Sequence, residues 1–275
     1  MTGRPGDSMP EETPFEGVLR QIHDSVPFEP GYYNESYLDR RITARMRRRD
    51  TDSHAEYERL LREDDAERQA LMDALTINVT EFFRNPEMWE VLRTVLRDLT
   101  ADRRRVRVWS APCADGREPY SLAMLACDDD RIDESRIEVL GTDISEEALA
   151  NARDRVYHTT RTTDIAEELD SLSDPDRYVE RDGDEFRVRS TPRRLVEFDT
   201  HDLIRDGQRG PFDVVLCRNL LIYIDVDHKG ALFDTLESSL SERGVLVVGM
   251  TESVPPDRSD RYEPIDKRRR VFRRR

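Results

Sequence analysis

Apolar residues at helical spacing dominate the first third of the chain. Phe15, Val18, Leu19 and Ile22 recur every three or four positions behind Thr13-Pro14-Phe15-Glu16, which reads as an N-cap, a proline at the first helical position and a capping-box glutamate. A second helix is predicted over 35–49 with Leu38, Ile42 and Met46 on one stripe. A third starts at the capping box Ser53-x-x-Glu56 and carries Tyr57, Leu60 and Leu61; a fourth runs from about Ala66 through Leu71, Met72 and Leu75. No convincing strand precedes residue 90, so residues 13–90 are expected to form an all-α domain. The polar stretch 1–12 is expected to be a disordered tail, and it lacks the apolar segment of a signal peptide.

After Asp102 the period changes. Val106-Arg107-Val108-Trp109-Ser110 alternates like a strand, and a turn at 111–116 leads into a helix carrying Tyr120, Leu122, Ala123 and Leu125. A second strand over 137–140 ends at Gly141-Thr142-Asp143, before a helix over 146–155. Residues 212–217 are nearly all apolar, as in a strand buried on both faces; a helix over about 231–240, a strand over 244–248 and a final strand at Val271-Phe272 follow. This alternation predicts an α/β fold over 91–275 with a doubly wound, Rossmann-like sheet. Asp182-Gly183 between two short strand-like runs is a hairpin signal, so a small antiparallel β insertion is expected at about 170–197.

Charge narrows the partners. The 275 residues include 59 acidic and 44 basic ones, a net charge of −15, and only Lys229 and Lys267 among the basic residues are lysines. Abundant Asp with almost no Lys suggests a halophile, where a Debye length of about 3 Å at 1 M salt makes such self-repulsion tolerable. The same field disfavours nucleic acid as a partner. No apolar run reaches about 18 residues, so no membrane insertion is expected. The three cysteines and five histidines fit neither a zinc module nor a disulfide framework, and a metal-free, reduced interior is expected. Against this acidic background Arg40, Arg41, Arg45, Arg47, Arg48 and Arg49 crowd the second helix. Arg41, Arg45 and Arg48 share a face, which is either a solvated face or a docking face for an acidic helix.

Ligands of open α/β sheets bind beyond the carboxyl ends of the strands. The small-residue turn Ala111-Pro112-Cys113-Ala114-Asp115-Gly116 lets backbone approach a ligand, although no G-x-G-x-x-G is present. Asp143 is placed either to hold ribose hydroxyls or to cap the next helix, and Arg218-Asn219 are polar residues just past the buried run. Upstream, Phe82-Phe83 reads as a core or junction pair, whereas Asn78, Thr80 and Arg84 are less readily explained by packing.

These stretches resemble the CheR-type chemotaxis receptor glutamate methyltransferases. The matching text is LTINVTEFFRNPEMW (75–89), RVWSAPCADGREPYSLAM (107–124), GTDIS (141–145), HDL (201–203), FDVVLCRNLLIYI (212–224) and GVLVVGMTES (244–253), with YLDRRITARMRRRD (37–50) in the helical part. The match runs from about residue 15 to the end, and the composition adds a haloarchaeal source as an expectation. The resemblance implies an S-adenosyl-L-methionine-dependent methyltransferase sheet that forms glutamate methyl esters on chemoreceptors and leaves S-adenosyl-L-homocysteine. Its cofactor contacts fall on Asn78, Thr80, Arg84, Glu118, Asp143, Asp202, Leu203, Arg218 and Asn219. Glu118 and Asp143 would face the amino-acid and ribose parts, and Asp202-Leu203 would flank adenine. Arg84 and Tyr223 would be the catalytic residues, orienting the acceptor, and the helical domain would recognise the receptor through Arg41, Arg45 and Arg48.

A glutamate acceptor, with a pKa of about 4.3, is already ionised at neutral pH and needs no general base. The implied partner is the cytoplasmic helical bundle of methyl-accepting chemoreceptors, met by a cytoplasmic monomer that visits membrane-bound receptor arrays. Two departures from the family pattern carry expectations. Asp115-Gly116-Arg117 replaces the common Thr-Gly-Glu, which would bring the Arg117 charge near the amino-acid end of the cofactor. The hairpin loop 181–184 is short where members that dock on a receptor's tether peptide carry a longer, Gly-rich loop, so no tether dependence is expected. Two other readings stay open: a non-catalytic signalling module that binds S-adenosylmethionine, and a methyltransferase acting on another substrate. An amino-methylating DNA enzyme would show D/N-P-P-Y/F where Arg218-Asn219-Leu220-Leu221 stands.

Overall fold

The computed structural model describes residues 13–26, 28–76 and 80–275, and the chain divides between Thr76 and Ile77 into two compact units. The expected tail 1–12 lies outside the described residues.

The first unit is helical: α1 (Pro14–Ser25), α2 (Glu35–Arg48), α3 (His54–Glu63) and α4 (Asp65–Leu75). The Thr13 hydroxyl accepts from the Glu16 N–H while the Glu16 carboxylate accepts from the Thr13 N–H, so the first capping box closes both ways. The second closes only halfway: Ser53 caps the Glu56 N–H, but the Glu56 carboxylate takes the Asp52 N–H instead. Val18, Ile22, Leu38, Ile42, Met46, Tyr57, Leu61, Leu71, Met72 and Leu75 of the predicted apolar stripes are buried, whereas Phe15, Leu19 and Leu60 are only partly covered. Within this core sits one carboxylate, Glu67 of α4, at 1% exposure. It accepts from Arg45 Nε (3.0 Å) and Nη2 (2.5 Å) and from the Tyr57 hydroxyl (2.7 Å).

The second unit begins earlier than the boundary expected at residue 90. Helix α5 (Pro86–Asp102) starts with proline at its first turn and buries Met88, Trp89, Leu92, Val95 and Leu96 in the same core as the sheet. The following elements are β1 (Val106–Ser110), α6 (Arg117–Asp128), β2 (Ile137–Asp143), α7 (Glu146–Asp154), β3 (Val156–His158), α8 (Ile165–Glu168), β4 (Val179–Asp182), β5 (Glu185–Val188), α9 (Ser190–Arg193), β6 (Val196–Thr200), β7 (Phe212–Cys217), α10 (Lys229–Ser239), β8 (Leu240–Val248), β9 (Tyr262–Asp266) and β10 (Val271–Arg274). The main sheet runs β6-β2-β1-β7-β8-β10-β9. Its first five strands are parallel and β10 and β9 join antiparallel, so the sheet is mixed rather than wholly parallel.

Strands β3, β5 and β4 form the separate antiparallel insertion, with Gly183 in the hairpin turn at φ +60°. This insertion starts at Val156, ahead of the expected 170, and β6 belongs to the main sheet. Val156 and Tyr157 gave too short a run to read as a strand, and β6, at a sheet edge, alternates rather than running apolar. No helix among the described residues is long and apolar enough to cross a membrane.

Candidate active site

Strand β1 is flanked by β2 on one side and β7 on the other, with Ser110 opposite Gly141 and Leu216. The chain leaves β1 in both directions here, and the crevice beyond these carboxyl ends is where a doubly wound sheet binds its ligand. Thr80, Arg84, Glu118, Arg218 and Asn219, five of the expected contact residues, line one cavity together with Pro112, Cys113 and Ala114. They come from three separate segments of the chain, 80–84, 112–118 and 218–219. Asn78 lies outside the described residues.

An ion pair forms the floor of this cavity. Arg218 Nη1 donates to Glu118 Oε2 at 2.8 Å, and the other Glu118 oxygen accepts from Ser110 Oγ at 2.8 Å. The Arg218 side chain is 2% exposed and also donates to the Arg84 carbonyl (2.9 Å) and to Asn85 Oδ1 (2.8 Å). One guanidinium therefore ties the end of β7, the start of α6 and the turn before α5 together, the bidentate work for which arginine is suited.

Asp143 sits at the end of β2 with 4% exposure. Its Oδ2 accepts from the Ala114 N–H (2.8 Å) and its Oδ1 from the Ser145 N–H (3.0 Å), so it fixes the turn after β1. The cap of α7 is Ser145, which takes the Ala148 N–H, and the capping alternative for Asp143 falls away. Burial pushes the Asp143 carboxyl above the ordinary carboxylate range, and the opposing influences are backbone N–H groups rather than a cation.

His201 follows β6, donates its N–H to the Asp143 carbonyl (3.1 Å) and lies edge-on to Trp109. The next two residues are the expected Asp202 and Leu203. Asp202 Oδ1 accepts the N–H groups of Ile204 (2.8 Å) and Arg205 (3.2 Å), its carboxyl is raised by burial, and Leu203 is buried. Tyr223 is half-buried on the loop after β7, its N–H bonded to the Leu220 carbonyl at 2.9 Å; it, Asp143, Asp202 and Leu203 do not line the cavity that holds Glu118.

Two expectations are corrected. Arg117 does not bring its charge into the cavity. Its Nη1 donates to the Thr80 carbonyl (3.1 Å) and lies 3.4 Å from Glu168 Oε1, its Nε lies 3.2 Å from Asp115 Oδ2, and the guanidinium rests against the rings of Tyr157 and Phe82. Arg45, in the other unit, is no docking cation: its guanidinium is consumed by buried Glu67, leaving Arg48 exposed and Arg41 half-buried against Tyr37.

Sequence reading missed Glu252. This carboxylate is 4% exposed and accepts from the N–H groups of Gly249 (2.5 Å), Asn219 (3.0 Å) and Ile222 (3.4 Å), stitching the loop after β8 to the loop after β7. Burial raises its pKa. An acidic residue four positions beyond a buried strand end was the available signal.

The donor set suits a cationic nucleoside. Asp143 is a buried carboxylate with no cationic partner among the described residues, and a sulfonium or ammonium group nearby would offset its desolvation. Its second lone pairs remain for hydroxyl donors. Cys113, the cavity's one thiol, is raised well above its ordinary pKa by burial and stays neutral.

The family model for the CheR methyltransferase SAM binding domain matches residues 78–271, and the model for the CheR methyltransferase all-alpha domain matches 13–76. The chain is similar to the chemotaxis protein methyltransferase of Listeria monocytogenes, at 32% identity over 86% of this chain and 88% of that one. It is also similar to the chemotaxis protein methyltransferase of Salmonella typhimurium, at 31% identity over 87% of this chain and 83% of that one. Among solved structures, the methyltransferase domain of bacterial CtHen1-C aligns at 16% identity with a TM-score of 0.36, over 59% of this chain and 64% of that one.

Proposed function

The chain belongs to the CheR methyltransferase family, and we propose that it methylates glutamate side chains on chemoreceptors, using S-adenosylmethionine and serving chemotactic adaptation. The observation that carries this reading is the convergence of Thr80, Arg84, Glu118, Arg218 and Asn219 on one cavity at the switch point of the sheet.

The nucleoside supplies a methyl carbon activated by a sulfonium. What remains for the protein is alignment of an anionic oxygen with that carbon and partial desolvation of the anion. Among the described residues the cavity has no group suited to remove a proton: Glu118 is held by Arg218 and Ser110, and Cys113 is a buried thiol. A carboxylate acceptor is consistent with that, because it arrives ionised. Glu118 and Asp143 hold the amino-acid and ribose parts of the nucleoside, and Asp202 with Leu203 borders its base. Asn78 completes the contacts from the segment before Thr80. Arg84 and Tyr223 orient the acceptor by a charge-assisted and a hydroxyl hydrogen bond, positioning it without neutralising it.

The helical unit recognises the receptor's acidic helix through Arg41 and Arg48, with Arg45 supporting them by holding α2 to α4. The enzyme acts in the cytoplasm as a monomer, meeting receptors in their membrane arrays without a tether peptide. The charge of −15 with two lysines suits a halophile. The test is transfer of labelled methyl to receptor membranes in molar KCl, with mild base releasing the label as methanol. Base-stable label on nucleic acid points to another substrate, and nucleoside binding without label points to a non-catalytic module; either result overturns the proposal.

A further inference from the structure

We propose that Arg117 is a positioning residue that, paired with Glu168, holds the Thr80–Arg84 segment in the shape that binds the S-adenosyl nucleoside. The inference rests on the reading above and assigns a role to a residue outside it.

Arg117 occupies the first turn of α6, where the helix dipole favours an acid and disfavours a cation. Its presence there calls for a compensating partner, and the structure supplies several. Nη1 donates to the Thr80 carbonyl at 3.1 Å and lies 3.4 Å from Glu168 Oε1, while Glu168 Oε2 accepts the Phe82 N–H at 2.8 Å. Two backbone groups of one short segment are thus held by the two halves of one ion pair. The pair is largely shielded, with side-chain exposures of 15% and 12%.

The neighbouring Phe83 N–H is taken by Ser121 Oγ at 2.9 Å and the Arg84 carbonyl by Arg218 at 2.9 Å, so the segment is pinned along its length by side chains rather than by a ladder. It needs that support. Phe83, inside it, has a φ of +49°, a region that a bulky residue adopts only when the surroundings impose it, and Asn85, just past its end, has a φ of +62°. Both ends of the segment, Thr80 and Arg84, line the cavity. Glu168 closes α8, which lies inside the β insertion, so the pair also links that insertion to the cavity wall. Arginine suits the task because its fork reaches a carbonyl and a carboxylate at once, which a lysine ammonium does with poorer geometry.

The experiment uses the full chain in molar KCl and two readouts. Hydrogen exchange reports the amides of Phe82 and Phe83, and calorimetry reports S-adenosylhomocysteine binding. Arg117→Gln is expected to speed exchange at those amides at least tenfold with the sheet strands unchanged, and to raise the nucleoside Kd about tenfold. Arg117→Lys restores part of the affinity. Glu168→Gln, which keeps an acceptor for Phe82 but loses the charge, weakens binding similarly, and the double variant is no worse than either single one. A folded Arg117→Gln protein with unchanged exchange or unchanged Kd overturns the proposal, as do fully additive effects. Failure of the wild-type chain to bind the nucleoside overturns the methyltransferase reading and the affinity claim with it; the exchange measurement tells that failure apart from a missing clamp.

Discussion

Replacing Glu252 by alanine removes one acceptor from three backbone N–H groups. Gly249 and Asn219 are the close donors, at 2.5 and 3.0 Å, and Ile222 is the long one at 3.4 Å. A buried N–H left without a partner costs about 1–3 kcal/mol. Counting the two close donors, and allowing for water entry and for the relief of desolvating a carboxylate, the loss comes to about 2–4 kcal/mol. At about 2–4 °C per kcal/mol for a domain of this size, Tm should fall by roughly 4–16 °C.

The same bonds fix the backbone of Asn219, held at φ +62°, so the variant should also bind S-adenosylhomocysteine more weakly, by about tenfold. Gly249→Ala is a second route to the same disturbance, since its Cβ would stand 2.5 Å from Glu252 Oε2 and 2.9 Å from the Asn219 nitrogen. Thermal unfolding and calorimetry on both variants decide the matter. A Tm within 2 °C of wild type together with unchanged nucleoside affinity for Glu252→Ala would refute the view that this carboxylate builds the loop.

Tyr223→Phe should leave the nucleoside Kd within about twofold and slow methyl transfer by about tenfold or more, read by single-turnover labelling; unchanged turnover removes the hydroxyl from the mechanism. Arg45→Ala should destabilise the helical unit by about 3 kcal/mol by removing the nearest cation from Glu67 and leaving it Tyr57 and the longer contact to Arg49, whereas Arg48→Ala should stay within about 0.5 kcal/mol, both read by denaturant unfolding. Arg41→Glu with Arg48→Glu should raise the KM for receptor membranes several-fold at unchanged nucleoside affinity, and unchanged KM would make that face merely solvated. For Asp143, whose folded pKa is raised above the ordinary 3.8, the native chain holds more protons than the unfolded one between those two values. Its contribution to stability is present below 3.8 and is lost as pH rises through the folded pKa, so wild type should lose stability relative to Asp143→Asn over that window in parallel denaturant titrations.

What was legible in the sequence follows from what local chemistry dictates. The Thr13 and Ser53 caps, the stripes of α1 to α4 and the buried runs of β7 and β8 were read from periodicity and turn chemistry, because each is decided within a few residues. Strand β6 and strand β3 were not, since a short edge strand is stabilised by its neighbours more than by its own pattern. The domain boundary was set too late because α5 has the same amphipathic look as the helices before it, and only its partner core distinguishes them. Arg45 and Arg117 show the corresponding limit for charge: each reads as an available cation in sequence, yet each is committed to a carboxylate that becomes its neighbour only in the folded chain, Glu67 and Glu168.

That pattern extends to the site. Glu118, Asp143, Arg218, Glu252, Arg117 and Glu168 each commit hydrogen bonds to the protein itself, to backbone amides, carbonyls and each other. In a site that had to abstract a proton, such commitment would be costly, because the base must stay free to change charge. A reaction between an electrophilic carbon and an existing carboxylate has no such requirement. Its barrier is lowered chiefly by holding two reactants in line, and a loop displaced by a fraction of an ångström loses that alignment. Polar side chains buried at strand ends and aimed at loop backbone are therefore what this chemistry needs. Their substitution is expected to act on nucleoside affinity and loop order first, and on the chemical step only through Arg84 and Tyr223.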